Sequence, residues 1–245
     1  MKKIRIGIDI NETLRARWSQ FDRFFVEEFG EDGIPDEPYV FDLFNDYPWK
    51  DTIEVIKELK EPEDIPDDIN PKHYQTNDKG EANADYLLFK KEEKKKLTAK
   101  EMYNRFMYED FVFEIHGTAP LMYGGMDLDL KKFYLKYRNC VDFTLLSQEN
   151  VFSIPSTLSF LSKMTSRFNN YRFVENKKDM WKDIDLLITT DPEILEKGSP
   201  FLKKIIKVRR PYNENIKVGS IQILQIADLI NNKQFEKIIK FKNNK

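Results

Sequence analysis

The chain has 245 residues, 40% of them hydrophobic and 33% charged, with a formal net charge of −2 and one cysteine. That length suits one large domain or a core with an insertion, and so neutral a balance gives no field to draw the chain to nucleic acid or an anionic membrane. Cys140 alone forms no internal disulfide, which fits a reducing, cytoplasmic setting. Met1-Lys2-Lys3 leads straight into a strand pattern with no apolar leader, and no run approaches the ~20 apolar residues that span a bilayer.

In chain order, Ile4, Ile6, Ile8 and Ile10 alternate with Arg5, Gly7 and Asp9, which predicts a buried strand. Asp9 falls at its carboxyl end, where open α/β sheets bind ligands, and the backbone N–H groups from Asn11 to Leu14 could cradle an anion. Phe21, Phe24, Phe25 and Phe29 then share a helical face, with Ser19 able to cap it and Gly30 to end it. Asp51 or Thr52 is expected to open a second helix carrying Ile53, Ile56 and Leu59. Residues 61–85 are acidic and polar, a composition that predicts a long surface loop without calcium-loop spacing.

Lys90 to Lys96 reads as a solvated helical face. Thr98 and Glu101 match a capping box before the stripe Met102, Tyr103, Phe106, Met107 and Phe111. Asp127 is expected to cap a helix bearing Leu130, Phe133, Tyr134 and Tyr137. A βα rhythm follows, with strands at 140–146, 171–174, 185–189 and 204–208. Helices are predicted after Asp191-Pro192, over 222–231 and at the tail. The alternation implies a parallel sheet. The expected fold is therefore α/β, a Rossmann-like five-stranded parallel sheet from residues 1–18 and 127–245, with a mostly helical cap over 19–126. His73 and His116 lack zinc-ligand spacing.

Asp9-Ile10-Asn11-Glu12-Thr13-Leu14 resembles the first motif of the haloacid dehalogenase superfamily, Asp-x-Asp-x-Thr-Leu/Val. The resemblance implies Asp9 as the nucleophile that takes a phosphoryl group, while Asn11 stands where the general acid/base would be; an amide neither donates nor takes that proton. It implies Ser147 as the phosphate-holding hydroxyl and Lys163 as the charge-steadying lysine, with Lys177 or Lys178 in competition. Thr13 and Arg209 join them as phosphate-binding candidates, Arg209 having a neighbouring carboxylate as its other reading. Mg²⁺ would be held by Asp9, the carbonyl of Ile10 and Asp191, although Thr189-Thr190 occupies the expected pair of metal acids. Arg210-Pro211-Tyr212-Asn213 is similar to the end of deoxyribonucleotidase-like members.

Two functions follow from these residues. One is a catalytically impaired protein that binds phosphate or a nucleotide, or acts structurally through a protein partner at 19–126. The Asn-, Lys- and Phe-rich composition would suit a phage virion or assembly component. The alternative is a Mg²⁺-dependent phosphomonoester hydrolase acting on a nucleoside monophosphate.

Overall fold

The computed structural model describes residues 3–31, 44, 47–59, 89–166, 168, 170–199, 204–218 and 221–243, with 52–59, 89–95 and 241–243 described as backbone only. The strands are β1 (Ile4–Asp9), β2 (Thr52–Leu59), β3 (Phe89–Leu97), β4 (Val141–Gln148), β5 (Tyr171–Val174), β6 (Leu186–Thr189), β7 (Lys204–Val208) and β8 (Ile221–Ile223). The helices are α1 (Arg17–Phe29), α2 (Ala99–Arg105), α3 (Val112–Gly117), α4 (Met126–Tyr137), α5 (Ile154–Ser162), α6 (Pro192–Lys197) and α7 (Lys233–Asn243). The chain divides into two compact units, 1–48 with 105–245, and 49–104. That division keeps α1 and residues 105–126 with the sheet. Among the described residues no helix is long and apolar enough to cross a membrane.

The first unit is an α/β fold. Its sheet is parallel throughout and runs β5-β4-β1-β6-β7-β8. β1 lies between β4 and β6, so both its edges are hydrogen-bonded, and with a core on each face its apolar run is what a doubly covered parallel strand needs. Ile4, Ile6, Ile8 and Ile10 face one core with Leu130, Phe133, Phe143 and Phe235. There the rings of Phe133, Tyr137, Phe143 and Phe235 meet at centroid distances of 5.2–5.5 Å. On the other face Leu146, Met180, Trp181, Ile184, Leu187 and Ile194 form a second core.

Gly7 looks into that second core. A methyl group there would lie 2.5 Å from Leu146 Cδ1 and 3.1 Å from Leu187 Cδ1. Both are ends of flexible side chains, so the core can shift at a cost. Gly7→Ala is expected to lower stability by about 1–3 kcal/mol, seen as a lower urea midpoint at unchanged slope.

The sheet gains β8 beyond the five expected strands. Where one helix was expected over 222–231, Ile221–Ile223 extends the sheet edge and a 3₁₀ turn, Ile226–Leu229, follows. Asp127 does not cap α4. Gly125, at φ 82°, occupies that position, and the Asp127 carboxylate accepts the N–H groups of Thr165 (2.8 Å) and Ser166 (3.1 Å) instead. α1 ends as expected at Gly30, whose φ of 84° needs no Cβ and whose N–H returns to Val26.

In the second unit the expected helix at 52–59 is a strand, and so is the lysine-rich stretch after it. β2 and β3 pair antiparallel, Thr52 opposite Leu97 and Glu54 opposite Lys95. Thr52, Ile53, Val55 and Ile56 are β-branched, and a pairing partner lets that propensity outweigh a three-residue helical stripe. The capping box forms as read: Glu101 N–H donates to Thr98 Oγ1 (3.3 Å) and Thr98 N–H to Glu101 Oε2 (2.8 Å). The acidic stretch 61–85 lies outside the described residues.

Candidate active site

Asp9 ends β1 beside Leu146 of β4, and the chain turns at once. Leu14 N–H (2.9 Å) and Arg15 N–H (3.0 Å) both donate to the Ile10 carbonyl, and Glu12 N–H donates to Arg15 O (2.9 Å). Closing so tight a loop puts Glu12 at φ 54°, a left-handed conformation that costs a non-glycine residue on the order of 1 kcal/mol. Its carboxylate is buried, accepts Trp18 N–H at 3.1 Å and lies 3.9 Å from Arg17 Nε. It thereby serves the start of α1, whose own N-cap, Ala16, has no side chain to do so. Burial pushes the Glu12 carboxyl up to about 7, against the pull of Arg17.

Asp9 is 5% exposed, and Thr189 Oγ1 donates to its Oδ2 at 2.6 Å. Burial pushes its carboxyl up to about 7; the Thr189 bond, Lys177 and Arg17 hold it down, and Asp191 drives it up. The Thr189 hydroxyl also accepts Asp191 N–H at 3.0 Å. Asp191 itself is committed twice. Oδ1 accepts Ile194 N–H (3.1 Å) as the cap of α6, and Oδ2 lies 2.9 Å from Lys177 Nζ. Lys177 also reaches Glu193 Oε2 at 2.6 Å. Burial works against the charge of Lys177, but these two carboxylates outweigh it and hold the ammonium above its ordinary range.

Asn11 and Ser147 come together, and both are drawn into a buried network. Asn11 Nδ2 donates to Ser147 Oγ (2.9 Å) while its Oδ1 accepts from Arg15 Nη2. Ser147, fully buried, donates to Glu149 Oε1 at 2.7 Å. Arg15, also fully buried, pairs with Glu149 at 2.8 Å and donates to the His116 carbonyl (2.6 Å) and Thr157 Oγ1 (2.8 Å). Thr157 Oγ1 and Ser153 Oγ donate to Glu149 at 3.0 and 2.5 Å. Burial alone would raise the Glu149 carboxyl, but Arg15 outweighs it and holds the group well below the usual carboxylate range. Burial drops His116 to about 4, so its ring is neutral at pH 7 beside Glu149.

The remaining expected residues divide. Thr13 is buried, 3.5 Å from the Thr190 hydroxyl. Lys163 is not in the site: its Nζ donates to the Gly117 carbonyl (3.0 Å) and lies over the Phe113 ring. Lys177, the competing lysine, lies against Asp191 because the 3₁₀ turn Lys177–Trp181 brings it there from the end of β5. Arg209 is not in the site either and pairs with Glu214 at 2.7 Å, the neighbouring-carboxylate reading. Arg15, Glu149 and Thr157 went unread in the sequence. A charged residue four after Asn11 and an opposite one two after Ser147 were the signal, since both strand ends meet in the sheet.

In Pro211-Tyr212-Asn213 the asparagine is the working part. It is fully buried, its Nδ2 bonding the carbonyls of Thr190 (2.8 Å) and Val208 (3.0 Å) and its Oδ1 accepting Arg210 N–H (2.9 Å). One side chain thus ties the end of β6 to the end of β7.

The divalent cation implied by the resemblance does not fit this donor set. The Ile10 carbonyl is taken by two N–H groups, Asp9 Oδ2 by the Thr189 hydroxyl, and Asp191 by a helix cap and an ammonium, while the remaining strand-end candidates are neutral threonine hydroxyls. Mg²⁺ needs one or two carboxylates at about 2.1 Å in near-octahedral order. Among the described residues no group of three or more His, Cys, Asp or Glu is placed to hold a metal.

No protein-family profile and no curated protein matches the sequence. Among solved structures, a haloacid dehalogenase-like hydrolase from Burkholderia xenovorans is similar with a TM-score of 0.52 at 12% identity, over 96% of this chain and 98% of that one. CbbY from Rhodobacter sphaeroides, solved with phosphate, gives 0.49 at 14% identity over 93% and 96%. A haloacid dehalogenase-like family hydrolase from Xanthomonas campestris gives 0.42 at 9% over 100% and 99%. At such identities the first of these speaks to architecture, and with the sheet order above it defines the class: the chain has the haloacid dehalogenase-like α/β fold.

Proposed function

We propose that this chain is a haloacid dehalogenase-fold protein with degenerate catalytic motifs, related to the deoxyribonucleotidase-like branch, that acts structurally rather than by hydrolysing phosphomonoesters. The observation that carries this reading is the fate of Ser147: its hydroxyl is fully buried, donates to Glu149 and accepts the Asn11 amide. The two side chains that would hold a phosphoryl group and manage its proton are spent on each other and on Arg15. Asp9 is half protonated near pH 7, which weakens it as a nucleophile. The buried Asn213 in the Pro-Tyr-Asn turn supports the branch assignment. On this reading a protein partner at the segment 19–126 is what the chain acts on.

The test is orthophosphate release from p-nitrophenyl phosphate and deoxynucleoside monophosphates with Mg²⁺, for wild type, Asp9→Asn and Asn11→Asp. We expect no turnover above buffer in any of them. Mg²⁺-dependent turnover in wild type that disappears in Asp9→Asn would overturn the reading and restore the phosphomonoesterase.

A further inference from the structure

We infer that the outer face of α5 and the open edge of β5 form a contact between two copies of this chain. The chain is 33% charged, yet the stretch from Val151 to Ser162 holds no charged residue. A 3₁₀ turn, Val151–Ser153, runs straight into α5. One side of this stretch is core: Ser153, Ser156, Thr157, Phe160 and Leu161 are buried. The other side carries Val151, Pro155, Leu158 and Ser162 at helical spacing, every one exposed, with Phe152 beside them. Val151 is 64% exposed, Phe152 66%, Leu158 45%, and Tyr171 at the head of β5 40%. The solvent side of a surface helix ordinarily carries charged and polar residues, and this one is largely apolar.

Leu158, Leu161 and Ser162 border a groove of about 470 Å³ with Met164, Phe168 and Tyr171, so helix face and strand edge are one continuous surface. Among the described residues β5 is the last strand on its side of the sheet and pairs only with β4. Asn170 and Val174 give their carbonyls to β4, so alternation points the N–H and C=O groups of Tyr171 and Phe173 outward.

A second copy is the occupant that fits. A two-fold axis perpendicular to the sheet sets the two β5 edges antiparallel and lays the α5 faces side by side. Centring that axis on Phe173 keeps the Arg172 guanidinium from facing its own copy. A face without charge meets itself without like-charge repulsion. The exposed surface of Val151, Phe152, Leu158 and Tyr171 is on the order of 400 Å², enough for the apolar centre of a standard interface of about 800 Å² per partner. This contact goes beyond the proposed function and does not involve the segment 19–126.

The experiment is sedimentation equilibrium of the full chain over a dilution series. Wild type should approach twice the chain mass at the concentrated end and dissociate on dilution. Leu158→Glu puts one carboxylate from each copy into the contact and should weaken dimerisation at least about 100-fold. Phe152→Glu should do the same and serves if the first variant does not fold, which far-UV circular dichroism checks. Leu224→Glu, at an exposed leucine following β8 on the opposite edge of the sheet, should dimerise like wild type. Wild type that stays monomeric at every concentration overturns the inference. So does a dimer that survives both Leu158→Glu and Phe152→Glu, or one that Leu224→Glu weakens as much as they do.

Discussion

Asp9→Asn is expected to stabilise the folded protein at pH 8, by roughly 2–4 kcal/mol, although Asp9 sits where a catalytic residue would. Asp9 is all but enclosed, and burial carries its carboxyl from an ordinary 3.8 to about 7. A rise of ~3 pH units corresponds to about 4 kcal/mol of penalty on the ionised form, an upper bound for the gain on removing the charge. The asparagine keeps an oxygen for the Thr189 hydroxyl, so little else is lost.

The sign follows from proton counting. A carboxyl with a raised folded-state value binds its proton more tightly when folded, so its contribution is whole below about 4 and is lost as pH rises towards 7. Glu12, also raised to about 7, acts in the same direction. His116, lowered to about 4, acts against them between pH 4 and 6.5, because only the unfolded chain then takes its proton. Two groups against one leave wild type more stable at pH 5 than at pH 8, by about 3 kcal/mol. Urea unfolding at the two values measures this, and Asp9→Asn should reduce the difference. A variant less stable than wild type by the same amount at both values would contradict the assignment.

The sheet is more legible in the sequence than the insertion, for a physical reason. β1 and β6 are apolar runs bounded by polar turns and buried along nearly all their length, and β4 and β7 are buried over most of theirs, so local pattern and final environment agree. β2 and β3 owe their form to each other: neither Ile53-Val55-Ile56 nor Lys90-Lys96 reveals its partner some forty residues away. At the site, Asp9, Asn11 and Ser147 were legible because strand ends are legible. Lys163 was misplaced because helix spacing cannot say which of three lysines a 3₁₀ turn will carry inward. Arg15 and Glu149 were missed because an isolated charge in sequence looks solvated, and burial is paired across the sheet.

That pair should produce the largest single-residue losses in the molecule. Glu149→Leu leaves the fully buried Arg15 without its carboxylate, and strips Ser147, Ser153 and Thr157 of an acceptor together. Breaking one side of a buried pair typically costs 3–5 kcal/mol, since the remaining charge is neither solvated nor matched. Arg15→Met should cost a similar amount, freeing Asn11 as well. The double variant is expected to lose much less than the sum, because no orphaned charge remains. A coupling of several kcal/mol in the double-mutant cycle, read from urea midpoints, is therefore the expected result. Added salt should leave it nearly unchanged, as screening does not reach a pair that water does not touch. Acid should erode it: a carboxyl held well below its usual range contributes above the unfolded value near 4.5 and fails only as pH drops through its folded value. Additive losses under 1 kcal/mol each would mean the network merely fills space. Strong coupling would mean that the strand-end loops are held in place by the charges that close the site.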